Sequence, residues 1–89
     1  MLVLPADLTQ VQANACLQML LQGLRSEHGA AVVVDASALG RFDSAALAVL
    51  LECRREGLAL GKSLTISGMP RRLRDLAAVY GIDGLLPAA

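Results

Sequence analysis

Few residues in this 89-residue chain could do chemistry by themselves, and their spacing excludes most of it. Cys16 and Cys53 are far apart, and His28 is the single histidine. Neither a zinc-ligand spacing nor a Cys–His pair can be drawn from them. Gly57-x-x-x-Gly61-Lys62-Ser63 has one residue too few between its glycines for a nucleotide P-loop. It also leads into an expected strand, where a P-loop leads into a helix. No two carboxylates are spaced to work as an acid and base pair. The chain is therefore expected to be no enzyme and to hold no metal or cofactor. Its two cysteines read as small buried hydrophobes in a reducing, cytoplasmic compartment.

The informative stretch is Asp35-Ala36-Ser37-Ala38-Leu39-Gly40-Arg41-Phe42-Asp43-Ser44-Ala45-Ala46-Leu47. Asp35 ends an expected central strand, and Asp43-Ser44 opens the next helix. Sites in α/β folds gather at the carboxyl ends of strands. A helix start adds free N–H groups and a positive dipole end. With Ser44 at zero on a helical wheel of about 100° per residue, Val49, Ala46, Leu50 and Cys53 fall at roughly 140° to 240°. That arc is the expected core face. Leu51, Arg55 and Ala48 fall within about 40° of Ser44, on the opposite side. A solvent face would be charged there, yet its first turns carry Ser, Ala and Leu. A helix that is apolar nearly all round is buried on both sides. In so small a domain the second cover would come from another chain, docking around Ser44. Arg71, Arg72 and Arg74 open a third helix, where cations oppose the dipole. They read either as a solvated face or as a contact for an acidic surface or phosphate.

The elements that must position these residues follow from periodicity. Met1 to Leu4 reads as a strand stopped by Pro5. Asp7 or Thr9, each with a glutamine about three residues on, is expected to cap a helix from Leu8 to about Arg25. Ala31 to Asp35 is a strand whose three consecutive valines predict burial on both faces. Ala36 to Phe42 is a loop. The second helix runs to about Glu56 with Gly57 as its terminator. Lys62 to Ser67 is a strand, Pro70 suits the first turn of a third helix, and Leu73, Leu76, Ala77 and Tyr80 form its apolar stripe up to Gly81. Ile82, Leu85 and Leu86 are available for docking in a short tail. Strand and helix alternate three times, which predicts one α/β domain over residues 1–89 with a small sheet.

Composition narrows the partner. Apolar residues make up 55% of the chain, aromatics 2%, and eight basic residues balance eight acidic ones. Zero net charge leaves no electrostatic footprint for nucleic acid. The longest apolar run is seven residues, Ala45 to Leu51, against about 20 for a membrane span. The first apolar stretch is short and has no basic lead, so no signal peptide and no direct membrane insertion are expected. A domain of this size buries only roughly 60–65% of its unfolded surface. Part of the apolar surplus is thus expected to face a protein partner.

These residues resemble the STAS domain family. Asp43-Ser44-Ala45-Ala46-Leu47 is similar to its Asp-Ser/Thr-small-Gly-Leu signature at the start of the second helix. The stretch from Leu73-Arg74-Asp75-Leu76 to Gly84-Leu85-Leu86-Pro87 resembles the MlaB-like branch, in which the STAS protein is a small cytoplasmic subunit of the Mla ABC transporter for phospholipids. The resemblance covers nearly the whole chain. It departs at Ala46, where the family usually has glycine, and before Met1 to Leu4, where the family usually has one more strand. For the transporter branch it implies contact with the ATPase subunit at Ser44. Together with the helical wheel, this leads us to expect Ser44, Ala45, Ala48, Leu51 and Arg55 to face the ATPase, with Asp43 and Ser37 shaping the loop. Permease and substrate-binding subunits would belong to the same complex, and the domain would lie peripheral to the inner membrane. For the anti-sigma-factor antagonist branch it implies that Ser44 is a phosphorylation site whose phosphate switches partner binding off.

Overall fold

A computed structural model describes all residues, 1–89. The chain runs β1 (Leu2–Val3), β2 (Asp7–Leu8), α1 (Ala13–Ser26), β3 (Ala31–Asp35), β4 (Arg41–Phe42), α2 (Ala45–Ala59), β5 (Ser63–Ser67) and α3 (Arg71–Val79), then a 3₁₀ turn over Asp83–Leu85. The main sheet has the order β1-β3-β5 and is parallel throughout. Parallel neighbours need a crossover, and α1 and α2 supply the two. A second, two-stranded parallel sheet joins β2 to β4, with Asp7 opposite Arg41 and Leu8 opposite Phe42. The small α/β domain expected from the alternation is the observed architecture.

One continuous core holds it together. Leu2, Val32, Val34, Leu64 and Ile66 point from the sheet into it, and Cys16, Leu20, Leu24, Leu50 and Cys53 meet them from α1 and α2. The opposite sheet face departs from the expectation of two-sided burial. Val33 is only half-buried there and Val3 is 51% exposed. The valine run reflects preference for a pleated strand rather than cover on both sides. Both cysteines are buried free thiols. Burial, with Cys16 nearby, pushes the Cys53 thiol up to about 11, and burial also raises that of Cys16. Neither becomes a ready thiolate near neutral pH.

The helix ends differ from the sequence expectations for local reasons. Leu8 belongs to β2, where it is fully buried, and α1 begins only at Ala13. The Thr9–Gln12 pair does form. Gln12 Oε1 accepts from the Thr9 N–H (2.9 Å) and from its hydroxyl (2.7 Å), but across the turn that precedes the helix. Arg41 and Phe42 are strand rather than loop. Two-residue strands carry no readable period, so β2 and β4 are defined only by each other. Gly57 lies inside α2, against Leu24 of α1. The terminator is Gly61, with φ +73°, where the Lys62 N–H donates to Gly57 O (2.8 Å) and the Gly61 N–H to Leu58 O (3.0 Å). Pro70 stands just before the first residue of α3. Tyr80 is 59% exposed rather than part of the stripe. The chain leaves the helix at Val79, and Ile82 folds back to pack on the core in its place.

Gly68 gives the first testable consequence. Its φ is +67°, and a Cβ there would lie 2.9 Å from Ser37 Cβ. Gly68→Ala combines a left-handed side-chain penalty with overpacking and is expected to cost about 2–4 kcal/mol. Gly61→Ala has a similar φ but open space around it and should cost only about 1 kcal/mol. Urea denaturation of the two variants checks the difference.

Candidate functional site

The start of α2 is positioned by backbone contacts over a long sequence separation. Ala6 O accepts the N–H groups of Gly40 (2.8 Å) and Arg41 (3.0 Å), and the β2–β4 pairing continues that attachment. The Arg72 guanidinium sits 5.3 Å from the centre of the Phe42 ring, a cation–π contact that ties α3 to β4. One of the three α3 arginines is thereby assigned a structural use. Arg74 has another, donating to Leu86 O (2.5 Å).

Asp43, not Ser44, caps α2. Asp43 Oδ1 accepts from the Ala45 N–H (2.8 Å), and Oδ2 accepts from the Gln10 N–H (3.1 Å). This one carboxylate satisfies a helix-end donor and fastens the entry to α1 against the entry to α2. Ser44 stands at the N-cap position with no side-chain capping bond. Its hydroxyl is left exposed at the helix start.

Two grooves meet along this end of α2. An apolar one of about 280 Å³ is lined by Ala13, Asn14 and Leu17 from α1 and by Ala45, Ala48 and Val49 from α2. A polar one of about 340 Å³ is lined by Gln10, Asp43, Ser44, Ala45 and Ala48. Ala45 and Ala48 are common to both, so the two form one continuous depression. Asp43, Ser44, Ala45 and Ala48 are thus brought together; of these, the helical wheel placed only Ala48 beside Ser44. Leu51, Arg55 and Ser37 line neither groove.

The reason lies in the true orientation of α2. Leu47 is buried along with Ala46, Val49, Leu50 and Cys53, so the core side is wider than the wheel assumed. The outward centre therefore falls at Ala48, and Leu51 sits half-buried at the margin, packed on the core. Arg55 is exposed but engaged by Glu52 and Glu56. Its hydrogen bond holds the Glu52 carboxyl below the usual range. Ser37 turns back on β3 instead. Its N–H donates to Asp35 Oδ1 (2.9 Å), and hydrogen bonding by Ser37 keeps the Asp35 carboxyl below its usual range.

Sequence reading missed the α1 side of the depression: Gln10, Ala13, Asn14 and Leu17. A signal for it was available. Between Asp7 and Arg25 no residue is charged, and between Asp43 and Glu52 none is either. A solvent-facing helix surface would carry charges, and the centres of protein interfaces are depleted of them.

The family model described as "Mlab, STAS domain" matches residues 1–87. The chain is a STAS domain of the MlaB type. No curated protein matches it. In this STAS domain the Asp43-Ser44 segment, which resembles the family signature, is the segment that opens onto the depression. Ala46, which replaces the usual glycine, is fully buried on the core side of α2. No helix of the domain is long and apolar enough to cross a membrane.

Proposed function

We propose that this STAS domain is a non-enzymatic subunit that binds and supports the ATPase of an Mla-type ABC transporter for phospholipids, in the upkeep of outer-membrane lipid asymmetry. The observation that carries the reading is the partly apolar depression centred on Ala48, with Asp43 as the one charge on its lining and the free Ser44 hydroxyl at its polar end. Small side chains at Ala45 and Ala48 let a partner backbone approach closely, and the exposed amides of α1 can be satisfied across the contact. The domain would work on the cytoplasmic side, held at the inner membrane through the ATPase, with permease and substrate-binding subunits in the same complex. Tagged protein purified from its host should carry the ATPase with it in fixed stoichiometry. Recovery of the domain alone under gentle extraction would refute the reading.

A second reading is favoured by one observation, the unbonded and exposed hydroxyl of Ser44 at a helix start. In an anti-sigma-factor antagonist that hydroxyl would be phosphorylated. The phosphate would suit the helix dipole and would place charge in the depression, releasing the partner. Intact-mass measurement separates the two readings. A phosphorylated fraction that changes with growth conditions belongs to the switch, and a constant unmodified mass belongs to the transporter subunit.

A further inference from the structure

We infer that the face formed by α1 and the first half of α2 takes a segment of a different protein that presents aliphatic side chains together with one lysine or arginine, the cation meeting Asp43. The inference rests on the proposal that this face docks a partner and adds what the partner must carry.

Charge distribution is the first argument. The chain has sixteen charged residues, eight of each sign, yet none lies from Leu8 to Leu24 or from Ser44 to Leu51. The depression built from those stretches has a single charge on its lining, Asp43. Asp43 forms no ion pair within the chain. Its two oxygens each accept one backbone N–H, and a carboxylate oxygen has a further lone pair to offer. When a partner covers this face, water leaves the carboxylate, and an uncompensated buried charge is costly. A partner cation within reach removes that cost and selects against partners that lack one.

The same distribution excludes other occupants. In a two-fold contact between copies of this chain the same patch meets itself, and this patch contains no cation to answer Asp43. The phosphate of a phospholipid headgroup would meet a carboxylate and no basic side chain. The apolar groove between Leu17 and Val49 adjoins the polar end through Ala45 and Ala48. An aliphatic side chain and a basic one from a single short segment can therefore occupy the two ends together.

A photo-crosslinking phenylalanine analogue in place of Asn14, which is exposed and lines the groove, tests this in the host cell. The same analogue in place of Asp75 on α3 serves as control. The crosslinked peptide from the Asn14 position is expected to come from another protein and to contain aliphatic residues and a Lys or Arg. If it comes from the ATPase, the functional proposal is supported as well. If a peptide of that chemistry comes from a different protein, the inference stands and the ATPase reading falls. Capture of a second copy, of lipid, of a peptide without a cation, or of nothing beyond the Asp75 control overturns the inference. The affinity of the captured protein is then compared for wild type and Asp43→Asn. The variant is expected to bind about tenfold more weakly at low salt and to lose most of the salt dependence. Equal salt dependence in the two proteins would also overturn it.

Discussion

Replacing Ala48 with glutamate is expected to abolish partner binding while leaving the fold intact. Ala48 is exposed at the centre of the outward side of α2 and lines both grooves. The substitution keeps a residue with good helix propensity, so the melting temperature should move by no more than a few degrees. In the complex the new carboxylate would be desolvated beside Asp43, with no cation on this face to pair with it. An unpaired buried charge costs about 3–5 kcal/mol, which is a loss of about a hundredfold or more in affinity. Val79→Glu, on an 80% exposed position of α3, is the matched control and should leave the complex unchanged. Co-purification followed by calorimetric titration reads both variants. Unchanged binding of Ala48→Glu would move the interface away from α2.

The largest effect on the fold itself is expected at Leu50. This side chain is fully buried in the middle of α2, in the same core as Leu20 and Leu24 of α1 and Ile66 of β5. Leu50→Ala removes packed methyl groups and leaves a cavity, at a cost of about 3 kcal/mol within the usual 2–5. Against a total of about 5–15 kcal/mol that is a large share. It corresponds to a fall of about 12–24 °C in melting temperature for a domain of this length. Leu51→Ala, half-buried one position further on, should cost roughly half as much or less. If the two cost the same, α2 is rotated relative to the arrangement described here.

The contrast between these neighbours shows where sequence reading sufficed. Ala31–Asp35 was legible as a strand because a run of β-branched residues ends at a turn. The start of α2 was legible because Asp43 and Ser44 precede a long apolar run. The orientation of α2 was only partly legible, since a helix apolar on several sides gives no sharp direction and Leu47 could lie on either margin. The entry to α1 was misread. Leu8 fits a helical period as well as it fits β2, and only its pairing opposite Phe42, distant in sequence, decides between them. For the same reason half of the proposed docking depression was invisible. Gln10, Ala13 and Asn14 reach Asp43 and Ala48 through tertiary structure, and the one local sign of their role is the charges they lack.

The β2–β4 pairing has a consequence for the life of the protein in the cell. The depression is assembled from two segments, around residues 10–17 and 43–49, that meet only in the folded chain, where the short strands pair and α1 packs on α2. The unfolded chain therefore presents no such surface, and a partner docking there would bind the native state alone. At a free partner concentration of a hundred times Kd, this linkage adds about 2.7 kcal/mol to folding. Copies made in excess of the proposed partner would lack that contribution, unfold more often and reach proteases sooner. On the proposed function, the abundance of this small aliphatic domain would follow that of its partner without any dedicated regulator.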